Sequence, residues 1–153
     1  MKMKERIPLQ IIEGRLVLTS VIECRSLRVQ RQFMKFVIDT GSPDSYLSDK
    51  DVRRMQIPVK GRASSGEVDF GGSRFRKIEL PHFDVYLLKE GSQNDFLSLK
   101  SSFCALQTTK SSQKKITIAQ ILPSILGMGF LKEQKLSLHV VLTEEMAYLQ
   151  YEG

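Results

Sequence analysis

The chain has 153 residues, of which 41% are hydrophobic and 26% charged. That composition is ordinary for a globular protein and excludes disorder, while the length excludes a second large lobe, so one domain over residues 1–153 is expected. The formal net charge of +6 at pH 7 raises the question of a nucleic-acid partner, but the positives are scattered through Arg25, Arg28 and Arg31, through Arg74, Arg76 and Lys77, and through Lys110, Lys114 and Lys115. No basic helix, aromatic stacking platform or zinc knuckle accompanies them, which argues against nucleic acid.

The N-terminal stretch MKMKERIPLQII has basic residues without an apolar leader core, and no later stretch reaches the roughly 20 apolar residues of a membrane span. The reading is a soluble, cytoplasmic protein with no membrane partner, and Met1 to Gly153 reads as a free-standing protein. Cys24 and Cys104 match no metal-ligand or redox spacing and read as reduced thiols.

In chain order, a turn at Glu13-Gly14 precedes an apolar run from Leu16 to Ile22, and a second run spans Phe33 to Ile38. Both have strand length. A short helix is expected over Ser48 to Met55. Glu67 to Phe75 reads as a hairpin with a Gly71-Gly72 tip. Phe83, Val85 and Leu87 alternate with polar or amphipathic neighbours, the period of a half-buried strand. Loops are expected at Gly91 to Asp95 and Thr108 to Lys115, flanking a strand near Phe103 to Leu106. An apolar strand runs from Ile121 into Gly127, followed by a short helix over Met128 to Lys135. Leu136, Leu138, Val140 and Leu142 alternate again, and Leu136 to Val141 with Met146 to Tyr151 reads as a closing hairpin. The expected class is all-β with minor helix.

One stretch has the look of a site. In FVIDTGSPDSYLS, residues Phe36 to Ser48, a strand ends in Asp39-Thr40-Gly41-Ser42. Gly41 permits a tight turn in which backbone N–H groups reach the carboxylate, and two hydroxyls add donors. The plainer reading is a loop of turn-favouring residues. Two further pieces stand in order along the chain: the Phe70-Gly71-Gly72 hairpin tip, whose backbone can approach a ligand, and ILPSILGMGFLKEQKLSL from Ile121 to Leu138.

Together these three pieces resemble the retropepsin family, the retroviral-type aspartic proteases and their cellular and prokaryotic relatives. The resemblance runs from about Leu16 to Tyr151. It implies a retropepsin-like closed β-barrel or sandwich with a flap hairpin and one or two short helices. It further implies that Asp39 is the catalytic aspartate and that Thr40 ties two active-site loops together by reciprocal hydrogen bonds. Gly41 would allow close substrate approach, Phe70, Gly71 and Gly72 would form the flap tip, and Ile125, Leu126 and Gly127 would pack behind the catalytic turn. The chain departs from viral members in having Met128-Gly129 after the glycine and a longer segment from Lys89 to Gln120.

The implied activity is aspartic-type endopeptidase chemistry without metal or cofactor. It needs two carboxylates, one accepting a proton from water and one donating to the scissile carbonyl. Asp-Thr-Gly occurs once, so the second Asp39 is expected from another copy in a two-fold homodimer, with a peptide or protein as substrate. Asp44, Asp49, Asp51 and Asp69 read as solvated or capping acids. Ser42 is expected to donate to the outer oxygen of Asp39. His82 and His139 sit in strand patterns without ligand-spaced partners and read as structural. No nucleophile elbow or phosphate-binding fingerprint is present. A different class of function keeps the same fold and dimer but binds peptide without cleaving it.

Overall fold

The structure is a computed structural model that describes residues 5–109 and 121–152. Lys110, Lys114, Lys115 and all of the expected 108–115 loop after Thr109 lie outside the described residues. Twelve strands and two short α-helices are described: β1 (Glu5–Ile12), β2 (Arg15–Cys24), β3 (Val29–Asp39), β4 (Tyr46–Leu47), α1 (Asp49–Arg54), β5 (Ser64–Phe70), β6 (Ser73–Glu79), β7 (Phe83–Leu88), β8 (Phe96–Ser101), β9 (Cys104–Thr108), β10 (Ser124–Gly127), α2 (Met128–Glu133), β11 (Leu136–Val141) and β12 (Met146–Tyr151). The strands run β11-β12-β1-β2-β3-β10-β4-β9-β6-β5 across one sheet, and β7 branches from β2 to carry β8.

The all-β expectation holds, but closure of the barrel does not. The path ends at β11 on one side and β5 on the other, and these two strands do not pair. The reason lies in β5, the outer strand of the projecting β5–β6 hairpin: its residues are mostly exposed while β6 buries Phe75 and Ile78, so β5 stands clear of the core.

Hydrophobic alternation places the core. On β7, Phe83, Val85 and Leu87 are fully buried, and on β2 Leu18 and Ile22 face the same interior. Phe103 stacks on Phe36 with centroids 5.5 Å apart and meets the edge of Phe83 at 5.7 Å, geometries that add to simple burial. A smaller cluster of Tyr46, Phe75, Leu106 and Ile125 lies beneath the projecting hairpin.

Five elements differ from expectation. Strand β4 carries no assignment in the sequence reading, and β10 begins at Ser124 rather than at Ile121. β1 and β8 carry no assignment in the sequence reading, because β1 is interrupted by Pro8 and β8 has only Leu97 and Leu99 half-buried among polar residues. The closing hairpin forms as expected, with a 3-10 turn at Leu142–Glu144 and Glu145 at φ 48°. Its apolar alternation, however, fades outward: Leu136 is buried, Val140 is 40% exposed and Leu142 76% exposed. As the edge strand, β11 has a neighbour on one side only and runs out past the core.

The two helices are short and locally specified. The Ser48 hydroxyl accepts from the Asp51 N–H at the N-terminus of α1, while Arg53 and Arg54 sit in its last turn, each end matching the helix dipole. Of the two expected roles, solvated or capping, Asp49 and Asp51 are not solvated: both are buried, and Asp51 shares in the cap with Ser48. Asp49 pairs with Arg53 at 2.9 Å. Asp51 accepts from the Ser124 hydroxyl at 2.6 Å and the Ser48 hydroxyl at 3.1 Å, and the Ser48 N–H donates to Ser124 Oγ at 2.9 Å. This polar knot fastens α1 to the start of β10. Among the described residues no helix is long and apolar enough to cross a membrane.

Candidate active site

The site is built where the chain crosses over itself. Strands β3 and β10 run parallel with Asp39 opposite Gly127, and β4 lies on the other flank of β10. To pass from β3 to β4, residues 40–45 must therefore wrap around the end of β10. The turn's carbonyls then face the backbone of β10 and α2: Ser42 O accepts from Met128 N–H at 2.7 Å and Pro43 O accepts from Gly129 N–H at 3.0 Å. In return, Gly127 N–H donates to Ser45 Oγ at 3.0 Å.

This crossing explains the glycines. A Cβ on Gly127 would stand 2.3 Å from Asp44 O and 2.5 Å from Ser42 O, and one on Gly129 would stand 2.6 Å from Pro43 O. Gly127 is thus required by contact with the turn. Ile125 and Leu126 point to opposite faces of β10, as successive strand residues do. Leu126 belongs to the main core behind the turn, while Ile125 packs in the smaller cluster and lines the cleft in front.

Within the turn, Gly41 N–H donates to Asp39 Oδ1 at 2.9 Å and Ser42 N–H to Asp39 O at 3.2 Å. The carboxylate is half-buried and Thr40 and Gly41 are exposed. Ser42 corrects an expectation: its hydroxyl donates to Asp44 O at 2.8 Å, bracing the turn rather than reaching the Asp39 carboxylate. Asp44 is exposed and accepts from the Tyr46 hydroxyl at 3.3 Å. Burial, with Asp44 alongside, pushes the Tyr46 phenol up to about 12.

The projecting hairpin reaches over this turn. Phe70 pairs with Ser73 across a two-residue turn in which Gly71 and Gly72 take φ of 59° and 80°, the left-handed pair that a tight hairpin demands. Gly71 also sits on Leu122, where a Cβ would meet Leu122 Cδ2 at 2.4 Å. Between hairpin tip and turn lies a cleft of about 470 Å³ lined by Asp39 with Gly14, Arg15, Leu16, Val37, Ile38, Phe70, Gly71, Leu122, Pro123 and Ile125. Hollows of about 560 and 670 Å³ gather instead around exposed Phe33 and do not include Asp39. An acid aimed into an apolar cleft under a projecting hairpin singles out the smaller one.

Of the residues singled out in the sequence, Asp39, Phe70, Gly71 and Ile125 line this one cleft, while Thr40, Gly41 and Gly72 do not. The sequence reading misses Ser45 and the Gly14–Leu16 wall of the cleft, and it reads Gly129 only as a departure from viral members, not as a contact of the turn. Gly129 leaves a signal in the Gly-Met-Gly spacing, whereas nothing local in Glu13-Gly14-Arg15 announces that this turn borders Asp39. Asp69 is exposed and pairs with Arg74 at 3.1 Å. His139 stacks on Tyr148 with centroids 4.8 Å apart, and His82 is exposed. Cys24 and Cys104 are free thiols, and burial pushes the Cys104 thiol up, away from reactivity.

No protein-family model matches the sequence, and no curated protein matches it. Solved structures do. A retropepsin-like aspartic protease from Rickettsia conorii aligns with a TM-score of 0.58 at 13% identity, over 97% of this chain and 92% of that one. The EIAV protease in complex with the inhibitor HBY-793 aligns at 0.47 with 17% identity, over 84% and 96%. The retroviral protease-like domain of Ddi1 from Leishmania major aligns at 0.41 with 14% identity, over 79% of each chain. The chain has a retropepsin-like fold.

Proposed function

We propose that this protein is an aspartic-type endopeptidase, acting as a two-fold homodimer in which the Asp39 carboxylates of two copies activate one water. The observation that carries this reading is the placement of Asp39: its Oδ1 is held by Gly41 N–H, and its carboxylate lines an apolar cleft beneath a glycine-tipped hairpin. Among the described residues no second acid lines that cleft, so acid–base chemistry by a carboxylate pair calls for another copy. Thr40 adds support. It is exposed and its side chain has no partner among the described residues, which leaves it free to bond across a symmetry axis.

In the proposed reaction the two carboxylates share one proton, because like charges brought together do not both ionise cheaply. The ionised one takes a proton from water as the oxygen attacks the scissile carbonyl, and the protonated one donates to the carbonyl oxygen. On collapse of the tetrahedral gem-diol, the carboxyl that took the proton from water passes it to the amide nitrogen, and the other carboxylate recovers a proton from a diol hydroxyl. The C–N bond breaks to release amine and acid, with no covalent enzyme intermediate. The apolar lining of Leu16, Val37, Phe70 and Leu122 suits apolar side chains beside the scissile bond.

The test is cleavage of a mixed peptide library from acidic to neutral pH by wild type and by Asp39→Asn, with dimer content matched by sedimentation. Cleavage by wild type that falls on the order of a hundred- to ten-thousand-fold in the variant is expected. Cleavage that proceeds where sedimentation finds only monomer refutes the shared site. Absence of cleavage by either protein, with both dimeric and both binding peptide, replaces the protease with a peptide-binding dimer.

A further inference from the structure

Among the described residues that line the cleft, Arg15 is the one cation. Arg15 opens β2 directly after the Glu13-Gly14 turn, where both residues take positive φ, 52° and 75°. That two-residue turn joins β1 to β2 and sets Arg15 opposite Ile12 at the lip of the cleft. Elsewhere, Arg31, Arg53, Arg54, Arg74, Lys77 and Lys89 are engaged by carboxylates of the chain itself. Arg15 is exposed, lines the cleft, and has neither an ion-pair nor a hydrogen-bond partner among the described residues. Its neighbour Glu13 is exposed and does not pair with it.

A guanidinium with five free donors, set at the edge of an otherwise apolar cleft, matches one kind of ligand group above others: a carboxylate, bound through paired N–H donors. We propose that Arg15 makes the cleft selective for peptides that carry an acidic side chain a few residues from an apolar pair. Among the described residues Asp39 is the only acid of the lining, and it serves the reacting bond, which leaves the Arg15 guanidinium without a carboxylate partner in the cleft. In this form the inference rests on the homodimeric protease reading, which adds a geometric consequence. Two-fold symmetry supplies one Arg15 at each end of the groove, so the acidic preference appears at two positions equally spaced on either side of the scissile bond.

The experiment separates binding from cleavage. Fluorescently labelled apolar octapeptides with Glu, Gln or Lys moved through each position are titrated, by anisotropy, against Asp39→Asn and against Asp39→Asn with Arg15→Gln or Arg15→Glu. With Asp39→Asn alone, the Glu peptide binds about three- to tenfold tighter than its Gln twin at the selected positions, and the gap narrows between about 20 mM and about 0.3 M salt. Adding Arg15→Gln brings the two peptides to within about twofold, and Arg15→Glu turns the preference toward Lys. A Glu preference that survives Arg15→Gln overturns the proposal, as does equal binding of Glu and Gln peptides or binding of none of them. Wild type that shows the Arg15-dependent preference yet cleaves nothing refutes the protease and leaves this inference standing. Cleavage without any acidic preference does the reverse.

Discussion

Replacing Gly127 with alanine tests the crossing that holds the candidate catalytic turn. Gly127 has φ −93° and ψ −179°, an extended backbone that alanine adopts freely, so no conformational penalty enters. The whole cost is contact. The added Cβ lies 2.3 Å from Asp44 O and 2.5 Å from Ser42 O, and Cβ contacts essentially never fall below 3.0 Å; the turn must retreat by at least about 0.7 Å. It cannot do so alone, because Ser42 O and Pro43 O are bonded to Met128 N–H and Gly129 N–H at 2.7 and 3.0 Å. Overpacking of this kind costs about 1–3 kcal/mol, and weakening the two hydrogen bonds adds about 1 kcal/mol each. A loss of about 3–5 kcal/mol lowers the melting temperature by roughly 6–20 °C for a chain of this size. Thermal unfolding at equal protein concentration measures it, since association shifts the midpoint as well. A variant melting within about 1 °C of the parent refutes the crossing as drawn.

Three further outcomes follow from other parts of the chain. Ser124→Ala removes the donor to Asp51 and the acceptor for the buried Ser48 N–H, and urea unfolding should record a loss of about 2–3 kcal/mol that shrinks when Asp51→Ala is already present. Tyr46 has its phenol raised from 10.0 to about 12, so the folded state keeps a proton that the unfolded state releases. Its stabilising contribution is complete below about pH 10 and is lost between there and about pH 12, so the fall in unfolding free energy over that window should be shallower in Tyr46→Phe. Burial raises the Asp49 carboxyl in spite of Arg53. The charged form is therefore less welcome folded than unfolded, and Asp49→Asn should gain on the parent as pH rises through the carboxylate range, read by unfolding at pH 3 and pH 6.

Much of the fold was legible from local pattern. Alternation at Phe83 to Leu87, the apolar runs of β2 and β3 and the capped start of α1 each reflect chemistry contained within a few residues, and the structure reproduces them. Strands β1 and β8 were not, since each owes its place to partners distant in sequence: β1 bridges β12 and β2, and β8 leans on β7. The burial of Asp49 and Asp51 was hidden for the same reason, because Ser124 lies 73 residues from Asp51.

The candidate site divides along that line. Asp39-Thr40-Gly41 and the Gly71-Gly72 tip stand out in the sequence because their turns depend on residues that are themselves adjacent. Which atoms each group meets was decided only by the tertiary structure. The wrap of residues 40–45 around β10 diverts the Ser42 hydroxyl to Asp44 O, makes Gly127 and Gly129 steric necessities, and turns Ile125 toward the cleft. The β1–β2 turn delivers Arg15 to the same cleft from 24 residues away in the chain. Local propensity fixes the shape of a turn, whereas the neighbours of that turn are set by strand order, and strand order is a property of the packed sheet as a whole.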